Sequence, residues 1–395
     1  MPDCAKCLLE EENIPATHHC PLCKVDLCES HLTLHNSSNK TKDHASQVKS
    51  LSNTTCAKCQ KEEQVDIDAT HQCIECDCKM CSLHAALHKG YPKYASHQVK
   101  QLGFTEVPFS GKFELVGTVG DQEEFVFEFS KPNGLFVDTK HKTLLVADSG
   151  KKTIFAFDLE TRKLRYQFVA PYIPTQLCVD YNDDTILISS KEDSSVVKVS
   201  LDGQELFWKF GGGKSFEEDK LYEPQGICVD PVDSCVYVCC EKRICVISKD
   251  GKYLRAIGQN NGKGPVEFDF ARGLDMDKDG NLLVTEVFGQ RVRIISKKGA
   301  VVKLLNEAGK GSAQGQVNYP EHAIVEPCTG NIFVADSLNY RIQLIKPTGG
   351  VRCYGSGVES DKPGEFRSLS NLALSNLTGQ LFVADPKRNC VQIFK

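Results

Sequence analysis

The chain has a single tryptophan and three methionines, and its first 102 residues hold no arginine. No apolar run reaches the length that crosses a membrane, so no membrane span is expected. The opening Met1-Pro2-Asp3-Cys4 has neither a basic segment nor an apolar run behind it, so no secretory leader is expected. A reducing, cytoplasmic location follows as the expectation. Residues 1–102 carry 11 Lys against 13 Asp plus Glu, and the remainder carries 36 basic against 39 acidic residues. Neither part has the basic surplus that binding to a phosphate backbone draws on. Histidine is nearly absent after residue 97, where only His141 and His322 occur.

What is present is a doubled series of metal-binding residue types. Cys4, Cys7, Cys20, Cys23, Cys28, His31, His35 and His44 return as Cys56, Cys59, Cys73, Cys76, Cys81, His84, His88 and His97. Tetrahedral zinc takes four thiolate or imidazole ligands, and a Cys-x2-Cys or Cys-x2-His turn aims two of them at one ion. Eight ligands per copy make two ions per copy and four structural zincs in all. Alternating pairs are expected. Cys4, Cys7, Cys28 and His31 take one ion and Cys20, Cys23, His35 and His44 the other. In the second copy the sets are Cys56, Cys59, Cys81, His84 and Cys73, Cys76, His88, His97. The competing reading is a disulfide framework, since eleven cysteines precede residue 100. Fixed histidines have no part in such a framework, and nine of the eleven lie there. Cys78, His18, His19 and His71 fall outside the pattern, although Cys78 stands close enough to Cys76 to compete as a ligand.

The order Cys-x2-Cys-x12-Cys-x2-Cys-x4-Cys-x2-His-x3-His-x8-His resembles a B-box zinc finger, and the second copy fits with x13 in the long gap. The resemblance implies two small zinc-stapled α+β modules, at 1–50 and 51–102, followed by a linker at 103–111. Sites filled by four protein ligands leave no open position for water, so these zincs are structural and their removal unfolds the modules.

From residue 112 to 395 another repeat takes over. First strands read Gly134–Asp138, Gln176–Asp180, Gly226–Asp230, Gly273–Asp277, His322–Glu326 and Asn371–Ser375, spaced 42 to 50 residues apart. About ten residues on come second strands ending at Asp148, Ser190, Cys240, Glu286, Asp336 and Asp385, and then alternating third strands such as Arg291–Ile295 and Cys390–Phe394. This period predicts an all-β six-bladed propeller. The last unit stops without a fourth strand, and residues 112–119 supply one, so the start of the propeller completes its last blade. A Gly-hydrophobic-x-Val-Asp strand, then Val-Ala-Asp, then Asn-x-Arg-Ile resembles the NHL repeat, most sharply at Ile332–Ile342. The second unit departs most, with Ser190 and Asp193 in place of the usual Asp and Arg. The lone Trp208 disfavours a WD40 propeller.

Paired B-boxes ahead of an NHL propeller resemble the tripartite-motif NHL proteins, but without the RING and the coiled coil of that family. Ubiquitin-conjugating-enzyme recruitment and coiled-coil dimerisation therefore do not carry over. Three readings remain: a non-enzymatic adaptor whose propeller face binds a protein, an RNA reader, and a ubiquitin ligase of atypical kind or in assembly. The B-boxes themselves suit self-association or protein contacts. For RNA the candidates are a basic rim of Lys151, Lys152, Lys191, Arg243, Arg291, Arg341 and Arg388. Against them stand the strand-ending carboxylates as ion-pair partners and the acidic loops at Asp121–Glu124 and Glu217–Asp219, a mixed-charge face that suits a protein better than phosphate. Catalysis has little support, because His322 alone cannot build a metal site in the channel. The nine propeller cysteines read as buried thiols.

The zinc reading predicts about four zinc ions per purified chain by elemental analysis. Cys20→Ser or Cys73→Ser is expected to remove about one ion each. A zinc-free chain that keeps its N-terminal fold would contradict it.

Overall fold

The structure is a computed structural model. It describes residues 106–119, 128–215, 217, 219–258, 266–306 and 308–395, and ahead of these the backbone of six short strands. The chain divides into two compact units, Met1–Thr105 and Glu106–Lys395. In the first unit His18–Cys20 lies between Val25–Leu27 and Lys49–Ser50, and His71–Cys73 lies between Cys78–Met80 and Val99–Gln101. Both sheets are antiparallel, with Cys20 opposite Val25 and Cys73 opposite Cys78. The doubling of the ligand series is thus matched by a doubling of backbone, and Cys78 takes the place that Val25 holds in the first copy. The remaining ligand positions and the helical part of the expected modules lie outside the described residues.

The second unit is a six-bladed, NHL-like β-propeller. Blade 1 consists of Pro132–Asp138, Thr143–Asp148, Thr153–Asp158 and Leu164–Val169. Blade 2 consists of Gln176–Asp180, Thr185–Ser190, Ser195–Ser200 and Leu206–Gly211. Blade 3 has Pro224–Val229, Val236–Cys240, Arg243–Ile247 and Tyr253–Ile257, and blade 4 has Ala271–Met276, Leu282–Glu286, Arg291–Ile295 and Val301–Leu304. Blade 5 has Pro320–Val325, Ile332–Asp336, Arg341–Ile345 and Val351–Tyr354. Blade 6 has Asn371–Ser375, Gln380–Asp385 and Cys390–Phe394, and its fourth strand is Leu115–Val119. Neighbouring first strands touch all the way round, with Asn371–Ser375 against Pro132–Asp138 closing the ring. The closing strand runs antiparallel to Cys390–Phe394, Val119 opposite Val391 and Leu115 opposite Phe394. That pairing hides the edge that blade 6 would otherwise expose.

The hydrophobic pattern explains the layering. Second strands such as Thr143–Asp148 are buried at every position because both faces of each sheet are covered by a neighbouring blade. Outer strands such as Leu164–Val169 alternate, as a strand with one solvated face does. The core is accordingly split into clusters between blades, with Phe155, Phe157, Phe382 and Ile393 sealing blade 1 to blade 6 and Phe333, Phe366 and Phe394 sealing blade 5 to blade 6. Part of the expected linker, 103–111, packs on the propeller. Phe109 is buried, its amide donates to Glu326 Oε1 at 2.6 Å, and its ring meets Phe113 and Phe333 edge-on at 4.6 and 5.4 Å. An aromatic ring gains more from this contact than a linker position provides.

Each blade also needs partners for the amides of the loop entering its first strand, which the sheet ladder does not reach. In blades 1, 4, 5 and 6 the carboxylate ending the second strand supplies them. Asp148 accepts from the amides of Ser130 and Lys131 at 2.7 and 2.9 Å, and Asp385 from Arg367 and Ser368 at 2.8 and 3.0 Å. Asp336 accepts from Asn318 N at 2.7 Å and Glu286 from Asp269 N at 2.8 Å. Blade 2 has Ser190 at the corresponding place and brings in Asp193, whose Oδ2 accepts from Ile173 N at 3.2 Å and Ser190 Oγ at 2.9 Å. Asp336→Ala strips this acceptor from a fully buried site that also holds Arg341. Its expected cost is about 3–5 kcal/mol of propeller stability, read as a lower urea midpoint with an unchanged slope. A loss under about 1 kcal/mol would show the clasp to be incidental.

Candidate functional site

The face carrying these clasped loops and the turns between second and third strands, the upper face, is where the sequence places its basic rim. The structure separates that rim into three kinds of residue. Lys151 and Lys152 are exposed, as is Lys242 beside them in the repeat. Lys191 and Arg291 are half-buried and paired, Lys191 Nζ lying 3.4 Å from Glu223 Oε2 and Arg291 Nη2 lying 2.7 Å from Glu286 Oε2. Arg243 and Arg341 are buried, at 3% and 8% exposure. Arg243 Nη2 donates to the carbonyls of Glu217 and Lys220 at 2.5 and 2.8 Å. Arg341 donates to Asp336 Oδ2 at 2.8 Å and to the carbonyls of Ser312, Ala313 and Gln316 at 2.5, 2.9 and 2.9 Å. Arg388 reaches the carbonyls of Lys362 and Glu365 at 3.0 and 3.1 Å.

Arg243 and Arg341, expected in a ring of phosphate-binding cations, are thus turned toward the protein. Arg341 makes four hydrogen bonds to Asp336 and loop carbonyls and Arg243 Nη2 makes two to loop carbonyls, so both guanidinium groups point inward. Sequence pattern alone did not single out the side chains that share this work. Arg293 Nη2 lies 2.6 Å from Glu286 Oε1 and donates to Glu267 O at 2.7 Å. Gln343 donates to Gln316 O, and Gln392 donates to Glu365 O at 2.9 Å. Arg293, Gln343 and Gln392 occupy one repeat position, the middle of the third strand, and a polar residue in an otherwise apolar strand was the available signal. Of the acidic loops, Glu217 and Asp219 are described, while Asp121, Glu123, Glu124 and Glu218 lie outside the described residues.

The channel is lined by the inner edges of the first strands, whose amides have no ladder partner on that side. Polar side chains from the preceding blade cap them. Asn371 Oδ1 accepts from Leu135 N at 3.2 Å, His322 Nδ1 from Leu372 N at 3.4 Å and Asp275 Oδ2 from Val325 N at 2.9 Å. His322 thus faces neighbouring backbone and works as a neutral acceptor. Burial pushes its pKa down to about 4, against a weaker opposing pull from a hydrogen bond to Leu274. Burial pushes Asp275 the other way, up to about 6. Among the described residues no three His, Cys, Asp or Glu side chains converge on a point that suits a metal ion. The thiols divide: Cys178, Cys228, Cys239, Cys240, Cys245 and Cys390 are buried, Cys235 partly so, and Cys328 and Cys353 are exposed, against the expectation of burial for all.

No family model matches the chain. It is 33% identical over 191 residues to mouse peptidyl-glycine alpha-amidating monooxygenase, an alignment covering 46% of this chain and 18% of the relative. The Xenopus laevis B form is 32% identical over 187 residues, covering 46% of this chain and 20% of the relative. The matched region is thus no more than a fifth of those proteins. A Bacteroides thetaiotaomicron protein of unknown function shares the fold with a TM-score of 0.56 at 13% identity, covering 73% of this chain and 74% of that one. A virginiamycin B lyase from Staphylococcus aureus aligns with a TM-score of 0.48 at 11% identity over 72% of this chain and all of that one.

The buried histidine makes stability depend on pH with a definite sign. Below the ordinary pKa of 6.5 the unfolded chain binds a proton that folded His322 refuses until about pH 4, so acidification through this window destabilises the propeller through His322. Asp275 acts oppositely, since its folded carboxyl holds a proton between the ordinary 3.8 and about 6. His322→Asn keeps an amide acceptor, as Asn371 does, without titrating. Urea midpoints at pH 7 and pH 4.5 are expected to show the variant losing less stability on acidification, by on the order of 2–3 kcal/mol. Equal losses would contradict the assignment.

Proposed function

We propose that the chain is a non-enzymatic adaptor in which a zinc-stapled N-terminal unit of two B-box-like modules accompanies a propeller whose upper face binds a protein partner. The observation that supports protein over nucleic acid is the engagement of Arg243, Arg291, Arg341 and Arg388 with carboxylates and loop carbonyls, which leaves a face of mixed charge. Phosphate backbones are held by cations free to reach them, and guanidinium groups engaged with carboxylates or backbone carbonyls do this poorly. For the first unit, five thiols and three imidazoles per copy form a donor set that suits two tetrahedral zincs. The doubled three-stranded sheets support treating the copies alike. Those zincs would act by holding short segments folded, with the ligand sets given above.

An RNA reading keeps one observation in its favour, the exposure of Lys151, Lys152 and Lys242. A ubiquitin-ligase role rests on the resemblance alone, and absence of autoubiquitination with a panel of conjugating enzymes would remove its direct form. The protein-partner reading is tested by two crosslinking experiments on the full chain. Ultraviolet irradiation in cells is expected to give RNA yields at background and unchanged by the triple reversal Lys151→Glu, Lys152→Glu, Lys242→Glu. Amine-reactive crosslinking in native extract is expected to place partner peptides on upper-face lysines. RNA crosslinks that vanish with the triple reversal would replace the protein reading by the RNA one.

A further inference from the structure

At blades 4 and 5 the upper face carries aromatic side chains that no repeat position requires. Phe288 sits in the turn after the second strand of blade 4 and is 55% exposed. Its ring lies 4.8 Å from that of Phe270 and 6.1 Å from that of Tyr319, the residues that lead into the first strands of blades 4 and 5. Phe270 and Tyr319 both have φ of 61°, a left-handed conformation that is costly for bulky side chains and that clusters at binding sites. Glu223, at the same point of blade 3, has φ of 46°. The Tyr319 amide is fixed by donating to Gln290 Oε1 at 2.7 Å. The three rings thus gather where the channel-lining first strands of blades 4 and 5 begin, at the channel mouth.

Charged groups complete the mouth. Arg272 Cζ lies 5.9 Å from the centre of the Tyr319 ring, and its Nε is paired with Glu321. Glu223 is held by two lysines, Lys214 at 2.6 Å and Lys191 at 3.4 Å. Burial raises the Glu321 carboxyl to about 7, opposed by the paired Arg272 and more weakly by the charge of Lys191 on blade 2. Arg272, Lys191 and Lys214 therefore gather with Glu223, the exposed Glu192 and a Glu321 carboxyl that is only partly ionised near pH 7. The slight positive surplus matches a carboxylate, whereas a polyanion would bring several phosphates against Glu223 and Glu192. An exposed ring beside that surplus matches an apolar or aromatic neighbour of the carboxylate.

Building on the protein-partner reading, we propose that this mouth, formed by Phe288, Phe270, Tyr319, Arg272, Lys191 and Lys214, docks a protein segment in which an Asp or Glu stands next to an aromatic residue. The carboxylate meets Arg272 and Lys191, and the ring packs on Phe288. Tyr319 and Arg272 are of the residue types that, with Trp, carry most of the energy of protein interfaces.

The probe is a fluorescein-labelled pool of decapeptides with a central Asp-Phe pair in otherwise neutral degenerate sequence, titrated with the full chain by anisotropy. Pools with Asn-Phe or Asp-Ala at the centre are expected to bind at least about tenfold more weakly, a difference of about 1.4 kcal/mol. Phe288→Ala and Lys191→Gln, both at accessible positions, are expected to weaken the Asp-Phe pool by a similar factor while leaving the melting temperature within about 2 °C. Equal binding of the three pools, no binding of the Asp-Phe pool, or indifference to Phe288→Ala would overturn the proposal. Binding of a labelled random 12-nucleotide RNA with loss in Phe288→Ala would overturn it in favour of RNA at the same mouth. If partner crosslinks map to other upper-face lysines while the Asp-Phe pool fails, the protein-partner reading stands and this placement of its site falls.

Discussion

A carboxylate buried at the end of a second strand, accepting hydrogen bonds from the amides that enter the first strand of its blade, is the contact on which the upper face depends. A propeller blade has a ladder for its strands and none for its entering loop, so the loop amides must find acceptors or stay open to water. Asp148, Glu286, Asp336 and Asp385 are completely buried and meet that need. Each then demands cationic or amide partners of its own, because a buried carboxylate without them is costly. Arg291 and Arg293 answer to Glu286, and Arg341, Asn339 and Gln343 answer to Asp336. The loops are thereby fixed, and much of the face's positive charge is neutralised from within.

The same logic runs through the channel. Asn371, His322 and Asp275 each cap an inner-edge amide of the next blade, so polar residues in the middle of the ring serve the joints between blades. Gly273 permits the close approach of blades 4 and 5, since a Cβ there would lie 2.7 Å from His322 Cα and 2.8 Å from Glu321 O. With the channel walls engaged in this way, the surface left for recognition is the rim above them. Its least regular part is the arc of Phe270, Phe288 and Tyr319, where bulky residues adopt backbone angles that the fold elsewhere leaves mostly to turns.

Most of the propeller was legible because its signals are local and repeated. Second strands such as Val236–Cys240 and third strands such as Arg291–Ile295 and Cys390–Phe394 fall where their apolar runs end, and the closing strand was evident from what blade 6 lacked. The direction of a long side chain is not local, and there the reading failed. Arg341 looks like a rim cation in sequence, yet its partners Ser312 and Gln316 lie more than twenty residues upstream and are brought to it only by the curl of the blade. Asp193 was noted as a departure from the repeat, although in space it restores the missing acceptor three residues late. Phe288 gave no signal at all, because a single phenylalanine in a turn has no period to break.

The central claim is that the buried strand-two carboxylates Glu286 and Asp336 hold Arg293 and Arg341 inward. It is tested most directly by the side-chain Nε–H resonance of Arg341 in arginine-labelled full-length protein. The account predicts a signal protected from exchange with water and unmoved by a polyanion such as heparin, as befits a donor held at 2.8 Å by Asp336. A rapidly exchanging Arg341 signal that shifts on adding heparin would contradict it, and would return that arginine to the outer surface as a phosphate ligand.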